Sequence, residues 1–205
     1  MKVKISLGNT KMGKIPSVSL PPIKSCGNCA LCSKKCYAMK AYRMFKQTKA
    51  AYDNNYEMAM NGRAKYFWDI EHYLAHKNPQ YFRWHVSGDI LDLSYLFEMN
   101  RIAEEYPKTK FLCFTKMYDL VDSFLYTRKF AKNLHMFISL WEDYDIYENS
   151  YGVRQYSNLH TLSTARAVYK KDLYKYQGFK CEGNCSECGF CFEALNGSSV
   201  IFKMH

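Results

Sequence analysis

The sequence predicts an α/β protein, a partial or complete (β/α) TIM-like barrel with cysteine-rich loops at both ends of the chain. Two observations carry this class. The middle of the chain alternates strand-like and helix-like segments at the spacing of parallel βαβ units. Each strand-like segment also ends in small, hydroxylated or charged residues, where a ligand-binding loop should begin. At 205 residues the chain fits one domain and can bury a substantial core. Within it, residues 1–36 read as an N-terminal extended segment and first cysteine loop. Residues 37–80 read as helical, 81–170 as the βα core, and 171–205 as a second cysteine loop with a terminal strand.

The elements follow in order. A β-prone piece, Val3 to Leu7, leads into a Gly- and Pro-punctuated segment ending at Pro21-Pro22. From Cys36 to His76 the apolar spacing is helical, with interruptions expected at "DNN" (53–55) and "NG" (61–62) and a stop at Pro79. "YFRWHVS" (81–87), "KFLCFT" (110–115) and "HMFISLW" (135–141) are predicted strands. Between them, "SYLFEMNRIAEEY" (94–106) and "YDLVDSFLYTRKF" (118–130) are predicted helices. "GVRQYS" and "HTLST" are candidate short strands, "EDYDIYENS" is an acidic loop, and "SSVIFKM" reads as a terminal strand. The ligand site should lie at "HVSGD", "CFTK" and "SLWED", the carboxyl ends of the three middle strands.

The formal charge is +10, from 29 basic against 19 acidic side chains, which favours a polyanionic partner such as nucleic acid or another anionic ligand. Many of the 18 tyrosines sit beside Lys or Arg, as in "KAYRMFKQTKAAY" and "VYKKDLYKY". Such stretches suit the stacking and clamping of a single strand. They also suit the amphipathic rims of helices, the commoner reason for the pattern. No apolar run is long enough to span a bilayer and Met1 begins no secretory pattern, so a cytoplasmic protein without a membrane partner is expected.

Nine cysteines in an odd, tightly clustered set without a secretory signal argue for metal binding over a disulfide framework. Cys26, Cys29, Cys32 and Cys36 form C-x2-C-x2-C-x3-C, a ferredoxin-like spacing whose thiolates can wrap an iron–sulfur cubane. Structural zinc usually prefers two paired knuckles or a Cys/His mixture. Ferredoxins place Pro after the fourth cysteine, whereas here Tyr37 follows and a helix begins. Cys36 is therefore expected at a helix N-terminus, which favours a thiolate or an anionic cluster. Cys181, Cys185, Cys188 and Cys191 repeat the spacings in reverse. Gly183 and Gly189 open that loop for backbone N–H groups to approach inorganic sulfide. Two 4Fe-4S clusters, or one larger fused cluster, fit these eight ligands; two structural zinc sites are the alternative.

Cys181, Cys185 and Cys188 also match the three-cysteine spacing of radical S-adenosylmethionine enzymes, and "HVSGDI" resembles that family's strand-two glycine motif. That resemblance implies S-adenosylmethionine as a cofactor. Against it, Glu187 stands where an aromatic residue is usual, the motif lies near the C-terminus, and Cys191 could close the open iron site. His85, Ser87 and Asp89 are the candidate catalytic residues, as acid, base or substrate contact after the first middle strand. Lys116, Glu142 and Asp143 are comparable rim candidates. Cys113 reads as a buried inert thiol, and His72 and His76 as a solvated helix face. No phosphate-binding glycine loop or nucleophile elbow is present, which removes nucleotide hydrolysis and serine hydrolase chemistry.

Across nearly its whole length the chain resembles the phage and plasmid family called gene product 88. The matching residues are "SVSLPPIKSCGNCALCSKKCYAMKAYR", "RWHVSGDI", "KFLCFTK" and "GNCSECGFCF". The resemblance implies a protein encoded by a virus or mobile element and working in the host cytoplasm, with the same eight cysteines as ligands. The expected function is iron–sulfur redox chemistry, as electron transfer or a reductive step at the barrel mouth with an electron donor or acceptor as partner. The alternatives are an atypical radical S-adenosylmethionine enzyme and a zinc-stabilised nucleic-acid-binding protein.

Overall fold

The computed structural model describes residues 1–27, 32–140 and 158–204. Seven strands form one sheet: β1 (Ser17–Val18), β2 (Tyr81–Trp84), β3 (Lys110–Thr115), β4 (Leu134–Leu140), β5 (Ser163–Val168), β6 (Phe179–Lys180) and β7 (Ser199–Lys203). Their order is β1-β2-β3-β4-β5-β7-β6 and every pairing is parallel. β1 and β6 end the ladder.

Helices α1 (Tyr37–Met44), α2 (Lys46–Asn61) and α3 (Arg63–Lys77) lie between β1 and β2, α4 (Leu93–Glu105) between β2 and β3, and α5 (Tyr118–Thr127) between β3 and β4. α4 buries Tyr95, Leu96, Met99, Ile102 and Ala103, a helical stripe against the sheet. The Asp92 carboxylate caps it, accepting the Tyr95 amide at 2.9 Å.

The pleat divides the sheet into two unlike faces. Phe82, Trp84, Phe111, Cys113, Met136 and Ile138 point into the core shared with α2, α3, α4 and α5. Removing such side chains from water stabilises the fold by roughly 1.5–3 kcal/mol each. The opposite face, with Leu112, Phe137, Ala165 and Val200, is covered by Met12 and Ile15 of the N-terminal segment and by Phe192. Phe192 belongs to α7 (Phe190–Glu193), which follows the single turn α6 (Cys185–Cys188).

The expected strand 110–115 is β3, and the helix and strand expected at 94–106 and 135–141 are α4 and β4 shifted by one residue. "SSVIFKM" contains β7, and "HTLST" overlaps the start of β5. "GVRQYS", "EDYDIYENS", Trp141, Glu142 and Asp143 lie outside the described residues.

Four expectations are corrected. β2 stops at Trp84 because His85 turns to φ 54, which ends the extended backbone. Val3 to Leu7 forms no strand and makes only an antiparallel bridge, Ser6 with Ser17. "DNN" does not interrupt α2, because the buried Asn55 bonds Lys4 and Ser19 instead of its own helix. α5 ends at Thr127, with Arg128 extended, and Phe130 returns to stack on Phe124 at 4.6 Å.

Candidate metal centre

The first cysteine run leaves the carboxyl end of β1 through a tight turn. Ser25 donates its hydroxyl to the Pro21 carbonyl at 2.6 Å, and the Cys26 amide donates to Ile23. A Cβ on Gly88, whose φ is +83, would stand 2.4 Å from the Ser25 hydroxyl oxygen. The loop after β2 therefore presses directly on this turn, a closeness that only glycine permits. Gly27 lies equally close to Met117, just beyond β3. Cys26 is thereby held above the carboxyl ends of β2 and β3.

Cys36 is the N-cap of α1, as its sequence position implied, and its carbonyl accepts the Met39 amide at 3.2 Å. The adjoining Tyr37 hydroxyl donates to the Val86 carbonyl, tying the start of α1 to the loop after β2. Cys32 precedes a short helical turn, and Cys29 lies outside the described residues.

The second run begins where the Cys181 amide extends the β6 ladder to Ile201 at 2.9 Å. It crosses the face of the sheet opposite α2, α3, α4 and α5. The Lys11 carbonyl accepts the Cys185 amide at 2.9 Å, and Tyr81 closes the far side by stacking on Phe192 at 4.5 Å. The Tyr81 hydroxyl also donates to Glu193 at 2.9 Å. Cys185 and Cys191 pack against the apolar residues of this face.

The thiols of this run act on one another. Burial pushes Cys191 up to about 12, reinforced by the charges of Cys181 and Cys185. Burial also raises Cys181 and Cys185, each with Cys188 among its charged neighbours. Two features oppose the rise. Arg83 lowers all three, and the Gly183 backbone hydrogen-bonds Cys181. Thiols that resist ionising together are stabilised as thiolates by a cation among them. An all-sulfur donor set with backbone N–H directed at sulfur fits an iron–sulfur cluster and also admits zinc. Among the described residues no three His, Cys, Asp or Glu side chains are gathered closely enough to hold a metal ion, and no disulfide is present.

Arg83 was not foreseen as a site residue. Its guanidinium lies 4.9 Å over the Phe114 ring and 3.8 Å from the Met12 sulfur, while its Nε is buried without a hydrogen-bond partner among the described residues. The signal in "YFRWH" was a charged side chain at a position that alternation turns toward a covered face.

The three catalytic candidates are all buried. His85 Nε2 is 3.1 Å from the Tyr95 hydroxyl, which is 2.7 Å from that of Tyr66. Burial, helped by the Arg83 charge, holds the imidazole down to about 3, so it is neutral at physiological pH. His85 Nδ1 and the Ser87 hydroxyl have no hydrogen-bond partner among the described residues. Asp89 is fully engaged, accepting the Thr115 hydroxyl at 2.6 Å and the Ile90 and Lys116 amides at 2.8 and 2.9 Å. Its carboxylate thus fastens the loop after β2 to the end of β3.

Cys113 is buried in β3, on the helix side of the sheet. His72 and His76 pack with tilted rings, centroids 4.1 Å apart, on α3. Among the described residues no helix is long and apolar enough to cross a membrane.

A family model described as gene product 88 matches residues 2–194. No curated protein and no solved structure matches the chain.

Proposed function

The chain belongs to the gene product 88 family, and from that premise and the cysteine geometry we propose that it is an iron–sulfur redox protein. The observation that carries the reading is the matched spacing of the two cysteine runs. It is supported by Cys181, Cys185 and Cys191 lying on one face of the sheet, where Arg83 opposes their charge and the Gly183 backbone hydrogen-bonds Cys181. Cys26, Cys29, Cys32 and Cys36 would hold a second cluster, or complete a larger one, at the carboxyl ends of the strands. When bound, such clusters supply one-electron transfer at a potential set by nearby charge and hydrogen bonds.

The fold reading that accompanies this is a partial (β/α) barrel. Largely sequential parallel strands, with the long helices on one face, support it. Its inner face then carries Arg83 and the second cysteine run, while its mouth carries the first. His85 Nδ1 and the Ser87 hydroxyl are buried polar atoms without a hydrogen-bond partner among the described residues, which supports them as contacts for a reducible substrate, and Asp89 positions the loop that bears them. Cys191 supplies a fourth cysteine in the same run, which favours a fully ligated cluster over one with an iron open to S-adenosylmethionine. The protein would act in the cytoplasm of a cell hosting a phage or mobile element, with an electron donor or acceptor as partner.

The test is iron, zinc and acid-labile sulfide content, with a visible spectrum, on protein purified without oxygen. About eight irons with matching sulfide, and absorption that bleaches on reduction, are expected. About two zincs, no sulfide and no colour would overturn the reading.

A further inference from the structure

A lysine just before the first Lys- and Tyr-rich stretch meets the second stretch in space. Lys35, one residue before Cys36, donates its ammonium to the Tyr169 hydroxyl at 3.1 Å and lies 5.5 Å from the centroid of that ring. Tyr169 directly follows β5, at the carboxyl end of the sheet. The contact joins the short turn that precedes α1 to the segment after β5 across 134 positions of sequence.

We propose that this joined basic and aromatic patch binds single-stranded nucleic acid across the mouth of the sheet. Residues 32–52 carry Lys34, Lys35, Lys40, Arg43, Lys46 and Lys49 and no acidic side chain. Of these, Lys49 is paired with Asp53, and the others lie on the exposed surface. Beyond β5, Lys170 and Lys171 are exposed, and the one acid among residues 169–180, Asp172, is paired with Lys175. The patch therefore presents a positive track along which phosphates can lie.

The aromatic side chains decide the kind of polyanion. A ring at an amphipathic rim covers apolar surface of its own fold. Here Phe45 is 57%, Tyr169 45% and Tyr174 86% exposed, so these rings keep much of their surface in water. Exposed rings beside cations are stacking platforms for unpaired bases, whose faces a duplex keeps covered. A lipid surface offers the charge but nothing for the rings to stack on. The same patch borders the first cysteine run through Cys36, so a bound strand would lie beside that centre.

The proposal does not rest on the cluster reading. It is tested by fluorescence anisotropy of labelled single-stranded DNA and RNA of about 20 nucleotides, longer than one binding site. The matching duplex and anionic phospholipid vesicles serve as competitors. Single strands should bind more tightly than the duplex, with log K falling against log salt at a slope of about −3, as expected for roughly four neutralised phosphates. The double variants Lys35→Glu/Lys170→Glu and Phe45→Ala/Tyr169→Ala should each weaken binding at least tenfold. Lys132→Glu, placed before β4 at the opposite end of the sheet, should leave it unchanged. Iron content measured on every variant reports separately on the cluster. Absent single-strand binding, equal or tighter duplex binding, vesicle binding alone, or an equal loss in Lys132→Glu would overturn the proposal.

Discussion

A Cβ on Gly13 would stand 2.1 Å from the Ser186 hydroxyl oxygen, so the N-terminal turn and the second cysteine run occupy almost the same space. Gly13 also holds φ +64, a conformation in which a side chain costs roughly 1–2 kcal/mol. Gly13→Ala should lower stability by at least that amount and push the run off the sheet face, with loss of about half of the bound iron on the two-cluster reading. Gly13→Ala/Ser186→Gly removes the collision but not the backbone strain. It should recover the iron while remaining less stable than the parent, as thermal melts and metal analysis would show.

Asn55 ties the start of the chain to the helical layer. It accepts the Lys4 amide at 2.8 Å and donates to the Lys4 and Ser19 carbonyls at 2.9 and 3.0 Å. Asn55→Ala leaves three backbone groups without this partner and should cost roughly 2–4 kcal/mol in urea unfolding. A loss under 1 kcal/mol would mean that water replaces the amide at no penalty.

That residue also shows where sequence reading stops. β3 and α4 were legible because their apolar periodicity reports a local geometry. "DNN" read as a break because Asn and Asp usually compete for nearby backbone, whereas the partner of Asn55 lies 51 positions away. β1 is two residues long and exists through its register with Arg83 and Trp84, which no local pattern encodes. The cysteine spacings are the ground for proposing a metal centre. The faces on which the two runs lie, and the Arg83 charge beneath one of them, depend on how the sheet is ordered.

His85 gives the fold a pH dependence with a definite sign. Its folded value, about 3, lies below the unfolded value near 6.5, so the unfolded chain takes up the proton first as pH falls. The stabilisation is complete above the unfolded value and is lost from about pH 6.5 down toward 3. Between pH 7 and pH 5 it should decline by roughly 2 kcal/mol. His85→Asn tolerates the positive φ and removes the titration. The comparison is of urea midpoints for the two proteins at both pH values; parallel declines would show that His85 is not the group responsible.

Asp89 ties the loop after β2 to the end of β3 through both carboxylate oxygens, one facing Ile90 and Thr115 and the other the Lys116 amide. Asp89→Asn must turn an NH₂ toward a backbone N–H or toward Ile90 and Thr115, leaving a buried donor opposed to a donor. A destabilisation of roughly 2–4 kcal/mol is expected, with faster hydrogen exchange at the Lys116 amide. Unchanged exchange there would show that the loop keeps its place without the carboxylate.

The sharpest separation of ligand from bystander uses two cysteines of similar chemistry on opposite faces of the sheet. Cys191 stands among the other thiols of its run, and Cys113 is sealed in the helix-side core. Cys191→Ser should lower iron and sulfide together and weaken the visible spectrum, because a serine oxygen is a poorer ligand for a soft cluster. Cys113→Ala should leave both unchanged and lower stability by about 1–2 kcal/mol through the space it opens. Iron lost equally from both variants would point to general instability of the fold as the cause. Iron retained by Cys191→Ser and by the matching Cys185→Ser variant would remove the second run from the metal centre. The search for ligands would then fall to Cys26, Cys29, Cys32 and Cys36 alone.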